Sequence, residues 1–341
     1  MATLPGLDLD ALTRWLDRER PGLRSGELSG EVIAGGKSNL TYRVTDGTAT
    51  WALRRPPLAH VLPTAHDMVR EFRVISALAG TDVPVADPIA LCDNPDVLGA
   101  RFYLMSFVDG LVFDRADDLA RLDADGARRA CEQLIDTLLA LHAVDPAAVG
   151  LADFGRPDGF LARQVRRWHQ QYEASRTEPR ADLEPVVAQL NELLPAQSAP
   201  GIVHGDYRLT NVMFRRDLSG IAAVVDWEMA TLGDPLTDLG LLYVYQQLAR
   251  EDDFVMPRMT PEAGFLTAEQ LMARYAAGSP RDLSSLAWYV AFGFFKLAVV
   301  AEGIHFRFLQ GKTVGEGFSH FGSAVPRLLA SARQALNTIA A

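Results

Sequence analysis

One stretch constrains this chain more than any other: Ile202-Val203-His204-Gly205-Asp206-Tyr207-Arg208-Leu209-Thr210-Asn211-Val212-Met213-Phe214. A short apolar run enters a polar loop and a second apolar run leaves it. A third strand-like run, Ala223-Val224-Val225, then ends on Asp226, followed by Trp227-Glu228. Asp206 lies five positions before Asn211, and Asp226 closes the next strand. These residue types suit one chemistry: a carboxylate accepts the proton of an attacking hydroxyl, while a carboxamide and a second carboxylate hold magnesium ions that neutralise phosphates. The competing explanation is ordinary turn residues between strands. The coincidence of all three positions favours the chemical one.

The spacing matches the catalytic loop and metal-binding aspartate of kinase-type phosphotransferases. With Gly205 between His204 and Asp206, where protein kinases carry Arg, the motif resembles the aminoglycoside phosphotransferase and choline kinase superfamily. The resemblance runs from Gly35-Gly36 to the last long helix. It is closest to the branch found as the kinase part of animal acyl-CoA dehydrogenase fusion proteins and as single bacterial proteins. Leu53-Arg54-Arg55-Pro56-Pro57, Val225-Asp226-Trp227-Glu228 and Phe295-Lys296-Leu297-Ala298 leading to Gly303-Ile304-His305-Phe306-Arg307 look like that branch.

The resemblance implies an α+β, two-lobed protein-kinase-like fold, with a small β-rich N-lobe over residues 1–108 and a larger, mainly helical C-lobe over 109–341. It further implies transfer of the γ-phosphate of ATP (GTP is not excluded) to a hydroxyl of a small molecule, with Mg²⁺. Asp206 is then the catalytic base or the group that orients the hydroxyl, and Asn211 and Asp226 are the metal ligands. Some relatives phosphorylate hydroxyacyl-CoA thioesters, and many bacterial members are labelled aminoglycoside phosphotransferases. Family membership alone does not imply drug resistance.

Upstream, residues 9–20 carry Leu9, Leu12 and Leu16 in one helical stripe that stops before Pro21-Gly22. Gly35-Gly36-Lys37-Ser38-Asn39 invites a P-loop reading, which fails. A Walker A motif needs Gly where this chain has Glu31, and it must open a helix, whereas Leu40, Tyr42 and Val44 alternate like a strand. A hairpin covering nucleotide phosphates fits better, with Lys37 and Ser38 as contacts; a plain hairpin turn is the alternative. The third strand, residues 50–57, offers Arg54 or Arg55 where kinases place a phosphate-holding Lys, and the apolar neighbour Leu53 points to Arg54. Glu71, on a helix over residues 67–78, is its natural partner or else a solvated helix charge. Strands at 89–92 and 101–110 follow, and the hinge residues Met105, Phe107 and Val108 are placed to bind the adenine edge.

Beyond the hinge the pattern turns helical, over residues 127–143, 159–173 and 183–194. His142 reads as a core or capping residue with no catalytic role. Asp234 before Pro235 reads as a helix N-cap, and Asp238 lies one turn on; in the family this element braces the catalytic loop. The helix over residues 286–307 is apolar except for Lys296, Glu302, His305 and Arg307, which either cap a packed core or line an acceptor pocket. A closing helix spans 322–339. The C-terminus lacks the acidic cluster a polycationic aminoglycoside calls for, although Glu251-Asp252-Asp253 supplies acidic groups elsewhere.

At 341 residues the chain can bury a core in two lobes. A formal net charge of -10 argues against nucleic acid as a partner. Two cysteines, Cys92 and Cys131, make no disulfide framework and no C-x-x-C metal pattern. The segment from Leu286 to Ala301 is short for a span and holds Lys296, so it reads as a buried helix and no membrane partner is expected. The first residues lack a secretory pattern, and a cytoplasmic location is the expectation. A pseudokinase is the alternative from another class, supported only by Arg54 in place of Lys.

Overall fold

The computed structural model describes residues 4–33, 39–58, 67–250, 258–312 and 318–340. Lys37, Ser38 and the acidic run Glu251-Asp252-Asp253 lie outside the described residues. Two compact units are formed, and neither is contiguous in sequence. One comprises Met1–Leu111, Val149–Leu151 and Val212–Ala230; the other comprises Val112–Ala148, Ala152–Asn211 and Thr231–Ala341.

The first unit is built on a five-stranded antiparallel sheet in the order β1-β2-β3-β5-β4. Helix α1 (Leu9–Glu19) precedes β1 (Ser29–Val32), β2 (Leu40–Thr45) and β3 (Thr50–Arg55); α2 (Met68–Leu78) precedes β4 (Pro88–Cys92) and β5 (Phe102–Ser106). Both helices begin on an aspartate cap: Asp8 accepts the N–H of Ala11, and Asp67 accepts those of Val69 and Arg70. The two-residue strand period sorts the side chains. Tyr42, Val44, Trp51, Leu53, Phe102 and Leu104 pack with Leu12, Trp15 and Leu16 of α1 in one buried core. The alternate residues Arg54 and Tyr103, directly opposite one another in the β3–β5 register, point away from that core.

The same unit takes in the hairpin β7 (Val212–Phe214) and β8 (Ile221–Val224), far along the sequence. Leu111 and Phe214 exchange both backbone hydrogen bonds at 2.8 Å, and Val224 donates to Pro84 at 2.8 Å. A Cβ on Gly110 would lie 2.9 Å from the Phe214 carbonyl oxygen, so this approach requires glycine.

The second unit is mostly helical: α3 (Ala116–Leu119), α4 (Ala124–Ala143), α5 (Phe160–Ser175), α6 (Leu183–Glu192), α7 (Leu236–Leu248), α8 (Ala268–Gly278), α9 (Leu286–Leu309) and α10 (Phe321–Ala340). Its one sheet among the described residues pairs β6 (Gly201–Val203) antiparallel with β9 (Thr231–Gly233). Length and composition alone would let α9 cross a membrane, yet 83% of its most apolar window is buried in the protein. It is a core helix. Helix α7 lies against it at glycines: a Cβ on Gly240 would meet the Tyr289 carbonyl at 2.5 Å, and one on Gly293 would meet Val244 at 3.1 Å.

Candidate active site

In the sheet unit, Arg54 bridges two carboxylates. Its Nε donates to Glu71 and its Nη2 to Asp226, both at 2.7 Å. Glu71 is 1% exposed and also accepts from the Tyr103 hydroxyl and the Asn39 amide, each at 3.0 Å. The Asn39 amide also reaches Glu228 at 3.4 Å. Burial works against the charge on Arg54, but Glu71, Tyr103 and Asp226 outweigh it and hold its pKa above the usual value. Burial pushes the Glu71 carboxyl up, against the pull of Arg54. The neighbouring Arg55 is turned to the other face of the strand, where it donates to the carbonyls of Gly6 at 2.5 Å and Leu98 at 2.8 Å.

Asp226 stands just past β8 in the left-handed region, at φ 66° and ψ 59°. Asp is among the few non-glycine residues that tolerate this conformation. The Trp227 indole, donating to the Val224 carbonyl at 3.0 Å, fastens the turn. The Asp226 side chain keeps 33% of its surface exposed. Met105 lies within β5 opposite Ala52 and Pro88, Phe107 donates its N–H to the Thr50 carbonyl at 3.4 Å, and Val108 follows, half-buried.

In the helical unit, β6 delivers the loop that carries Asp206. Asp238 of α7 is buried and accepts the backbone N–H groups of His204 at 2.7 Å and Gly205 at 2.8 Å. Burial would raise its pKa, but His142, His204 and the Gly205 amide outweigh that, and the carboxyl stays below its usual value. Gly205 has φ +88°, a conformation that favours glycine. Its carbonyl accepts from Lys296 of α9, whose ammonium also lies 5.2 Å from the centre of the Trp168 ring. Burial lowers the Lys296 pKa, and Asp206 and Asp238 pull the other way.

Both Asp206 oxygens have donors. The Tyr245 hydroxyl donates to Oδ1 at 2.6 Å and the Asn211 amide to Oδ2 at 2.9 Å, and Arg208 Nε lies 3.4 Å from Oδ2. The Asn211 amide also bonds the Asp206 carbonyl at 2.8 Å. Its nitrogen is thus engaged twice, which leaves its carbonyl oxygen as the atom to face a cation. Magnesium prefers oxygen ligands, so the Asn211 carbonyl and the part-exposed Asp226 carboxylate fit it chemically.

The candidate residues thus fall into two groups: Arg54, Glu71 and Asp226 meet in one unit, and Asp206 and Asn211 in the other. His142 touches no candidate site residue, bonding Tyr275 at 2.7 Å and lying 3.5 Å from Asp238. Glu302 is spent on Thr177, accepting its N–H and hydroxyl at 2.6 Å each. Sequence reasoning missed Asn39, Tyr103 and Tyr245 as parts of these groups. Only Tyr245 left a signal, standing seven residues after Asp238 and so on the same face of α7.

A small antiparallel sheet with a loop-borne Asp and Asn in a mainly helical remainder is the arrangement of kinase-like phosphotransferases. A family model described as "Phosphotransferase enzyme family" matches residues 29–283, and the chain belongs to that family. A solved structure from Ralstonia eutropha, described as a "putative aminoglycoside phosphotransferase", is 30% identical, with a TM-score of 0.84 over 97% of this chain and 98% of that one. The GDP complex of wild-type aminoglycoside 2'-phosphotransferase-IIIa, at 17% identity and TM-score 0.62 over 96% and 99% of the two chains, shares the fold. Acyl-CoA dehydrogenase family member 11 of Rattus norvegicus is 31% identical over 327 residues; the match takes in 91% of this chain and 41% of the rat protein.

Proposed function

We propose that this chain transfers the γ-phosphate of ATP to an alcohol hydroxyl of a small molecule in the cytoplasm. The observation that carries the proposal is the pair of donors on the Asp206 carboxylate, one to each oxygen. They hold a base in one orientation, with lone pairs left for an acceptor hydroxyl. Asp206 accepts that hydroxyl's proton as the oxygen attacks phosphorus. Arg54, charged and anchored by Glu71, holds the α- and β-phosphates, with Lys37 and Ser38 as further contacts. The backbone about Met105, Phe107 and Val108 binds the base. Asn211 and Asp226 are the ligands for Mg²⁺, which when bound neutralises the phosphate charge. Catalysis is then mainly positioning and electrostatic stabilisation.

A specific observation bears on the acceptor. Arg208 lies 3.4 Å from Asp206 and the Lys296 ammonium is bonded to the carbonyl of the preceding residue, Gly205, so cations flank the base. Positive groups there suit an acceptor carrying negative charge, such as a hydroxyacyl-CoA, better than a polycationic aminoglycoside. The test is ADP release with Mg-ATP across panels of 4-hydroxyacyl-CoAs and aminoglycosides. Asp206→Ala should cut turnover at least about 100-fold and leave ATP affinity nearly intact. Retained turnover with weakened nucleotide binding would refute the role of Asp206. ATP binding without turnover on any acceptor would favour the pseudokinase.

A further inference from the structure

We propose that Tyr245 is a positioning residue for the transfer, its hydroxyl fixing the Asp206 carboxylate so that one oxygen edge faces the acceptor. An aspartate side chain turns about two torsions, and a single donor leaves one of them loose. Here the Asn211 amide holds Oδ2 at 2.9 Å and the Tyr245 hydroxyl holds Oδ1 at 2.6 Å, from opposite ends of the carboxylate. Asn211 belongs to the same loop as Asp206 and moves with it. Tyr245 does not, so it is the donor that refers the carboxylate to the rest of the unit.

The frame behind Tyr245 is stiff. Asp238, two turns earlier on α7, grips the loop backbone at His204 and Gly205. The helix is seated against α9 through Gly240 and Gly293, with no room for a Cβ at Gly240. The Tyr245 ring is buried, and the Arg208 guanidinium lies 5.0 Å from its centre. Burial, reinforced by Asp206, raises the Tyr245 pKa well above its usual value. The hydroxyl therefore keeps its proton at working pH and acts as a fixed donor. No proton passes through it, and the acceptor's proton goes to Asp206.

This role rests on the proposed phosphotransfer. The test compares Tyr245→Phe with Tyr289→Phe, which removes the hydroxyl of another buried tyrosine, bonded to Asp234 at 2.8 Å and away from the Asp206 side chain. Tyr245→Phe should lower kcat by about 10- to 100-fold with the KM for ATP within about twofold. It should have no further effect on the residual single-turnover rate of Asp206→Ala. Tyr289→Phe should lose thermal stability with kcat within about twofold of wild type. A kcat for Tyr245→Phe within twofold of wild type, or a loss repeated in full in the Asp206→Ala background, would overturn the role. Absence of turnover by the wild-type chain on every acceptor would overturn the proposed function itself, and the role of Tyr245 with it.

Discussion

Replacing Arg54 with Met removes one cation and leaves Glu71 buried. The side chain of Arg54 makes two charge-assisted bonds of 2.7 Å, and Glu71 is 1% exposed. Breaking a buried pair by deleting one partner costs about 3–5 kcal/mol. Two neutral donors, Tyr103 and Asn39, stay on the Glu71 carboxylate, and each is worth about 1 kcal/mol. The expected loss is therefore at the low end, about 3 kcal/mol at pH 7.5, or a fall in melting temperature on the order of 10 °C.

The sign of the pH dependence follows from Glu71. Burial already raises its pKa in the folded protein, and Arg54 is what opposes that rise. A carboxyl with a raised folded pKa favours folding in its protonated form. That contribution is full below the unfolded value and is lost as pH rises through the folded one. In Arg54→Met the folded value climbs further, so the deficit against wild type should shrink between pH 7.5 and pH 5. The double variant Arg54→Met/Glu71→Gln, with no buried charge left at the pair, should recover most of the loss. Calorimetric unfolding of the three proteins at both pH values is the assay. A deficit under about 0.5 kcal/mol, far below the range for a broken buried pair, would refute the reasoning. So would a deficit that does not shrink at pH 5, or a double variant no more stable than the single.

Arg55→Met should also destabilise, because its guanidinium holds the Gly6 and Leu98 carbonyls. Unlike Arg54→Met, it should leave the affinity for Mg-ATP unchanged, as titration calorimetry can read. Gly240→Ala drives a methyl against the Tyr289 carbonyl and should cost about 1–3 kcal/mol, seen as a lower melting temperature together with a lower kcat. His142 is held neutral by burial, with its pKa below the usual 6.5. Its contribution is present above that value and lost as pH falls through the folded one, so His142→Gln should flatten the decline in melting temperature between pH 7 and pH 5.

Local patterns carried much of this architecture. The leucine stripe at Leu12 and Leu16, the alternation Tyr42-Val44 and the aspartate cap before α2 each declare themselves within a few residues, and the helices end within a few positions of where the pattern stops. The spacing of Asp206 and Asn211 was equally local, and the two side chains do meet. What escaped depends on chain segments far apart. Arg54, singled out by its apolar neighbour Leu53, does face Glu71, but the engagement of Asn39, Tyr103 and Asp226 around that pair left no mark in the sequence. The helix α8 went unread, although Thr267 and Gln270 form a capping box at its start. Tyr245 sits in an almost uniformly apolar helix, where its place on the Asp238 face is the one local hint that separates a donor to Asp206 from a core aromatic.

The interleaving of the two units has a consequence for biosynthesis. The sheet unit draws its last piece, Val212–Ala230, from about a hundred residues after its main body. A ribosome that has released residues 1–111 has released the five strands, Arg54 and Glu71, but not the aspartate that shares the guanidinium, nor the strand edge that pairs with Leu111. Until residue 230 emerges, the nascent unit holds an arginine with one of its two counterions and lacks the backbone partner of Leu111, an incomplete surface that invites association with other chains. Completion of the sheet unit is thereby tied to synthesis of the loop that carries Asp206, because Val212 follows Asn211 directly.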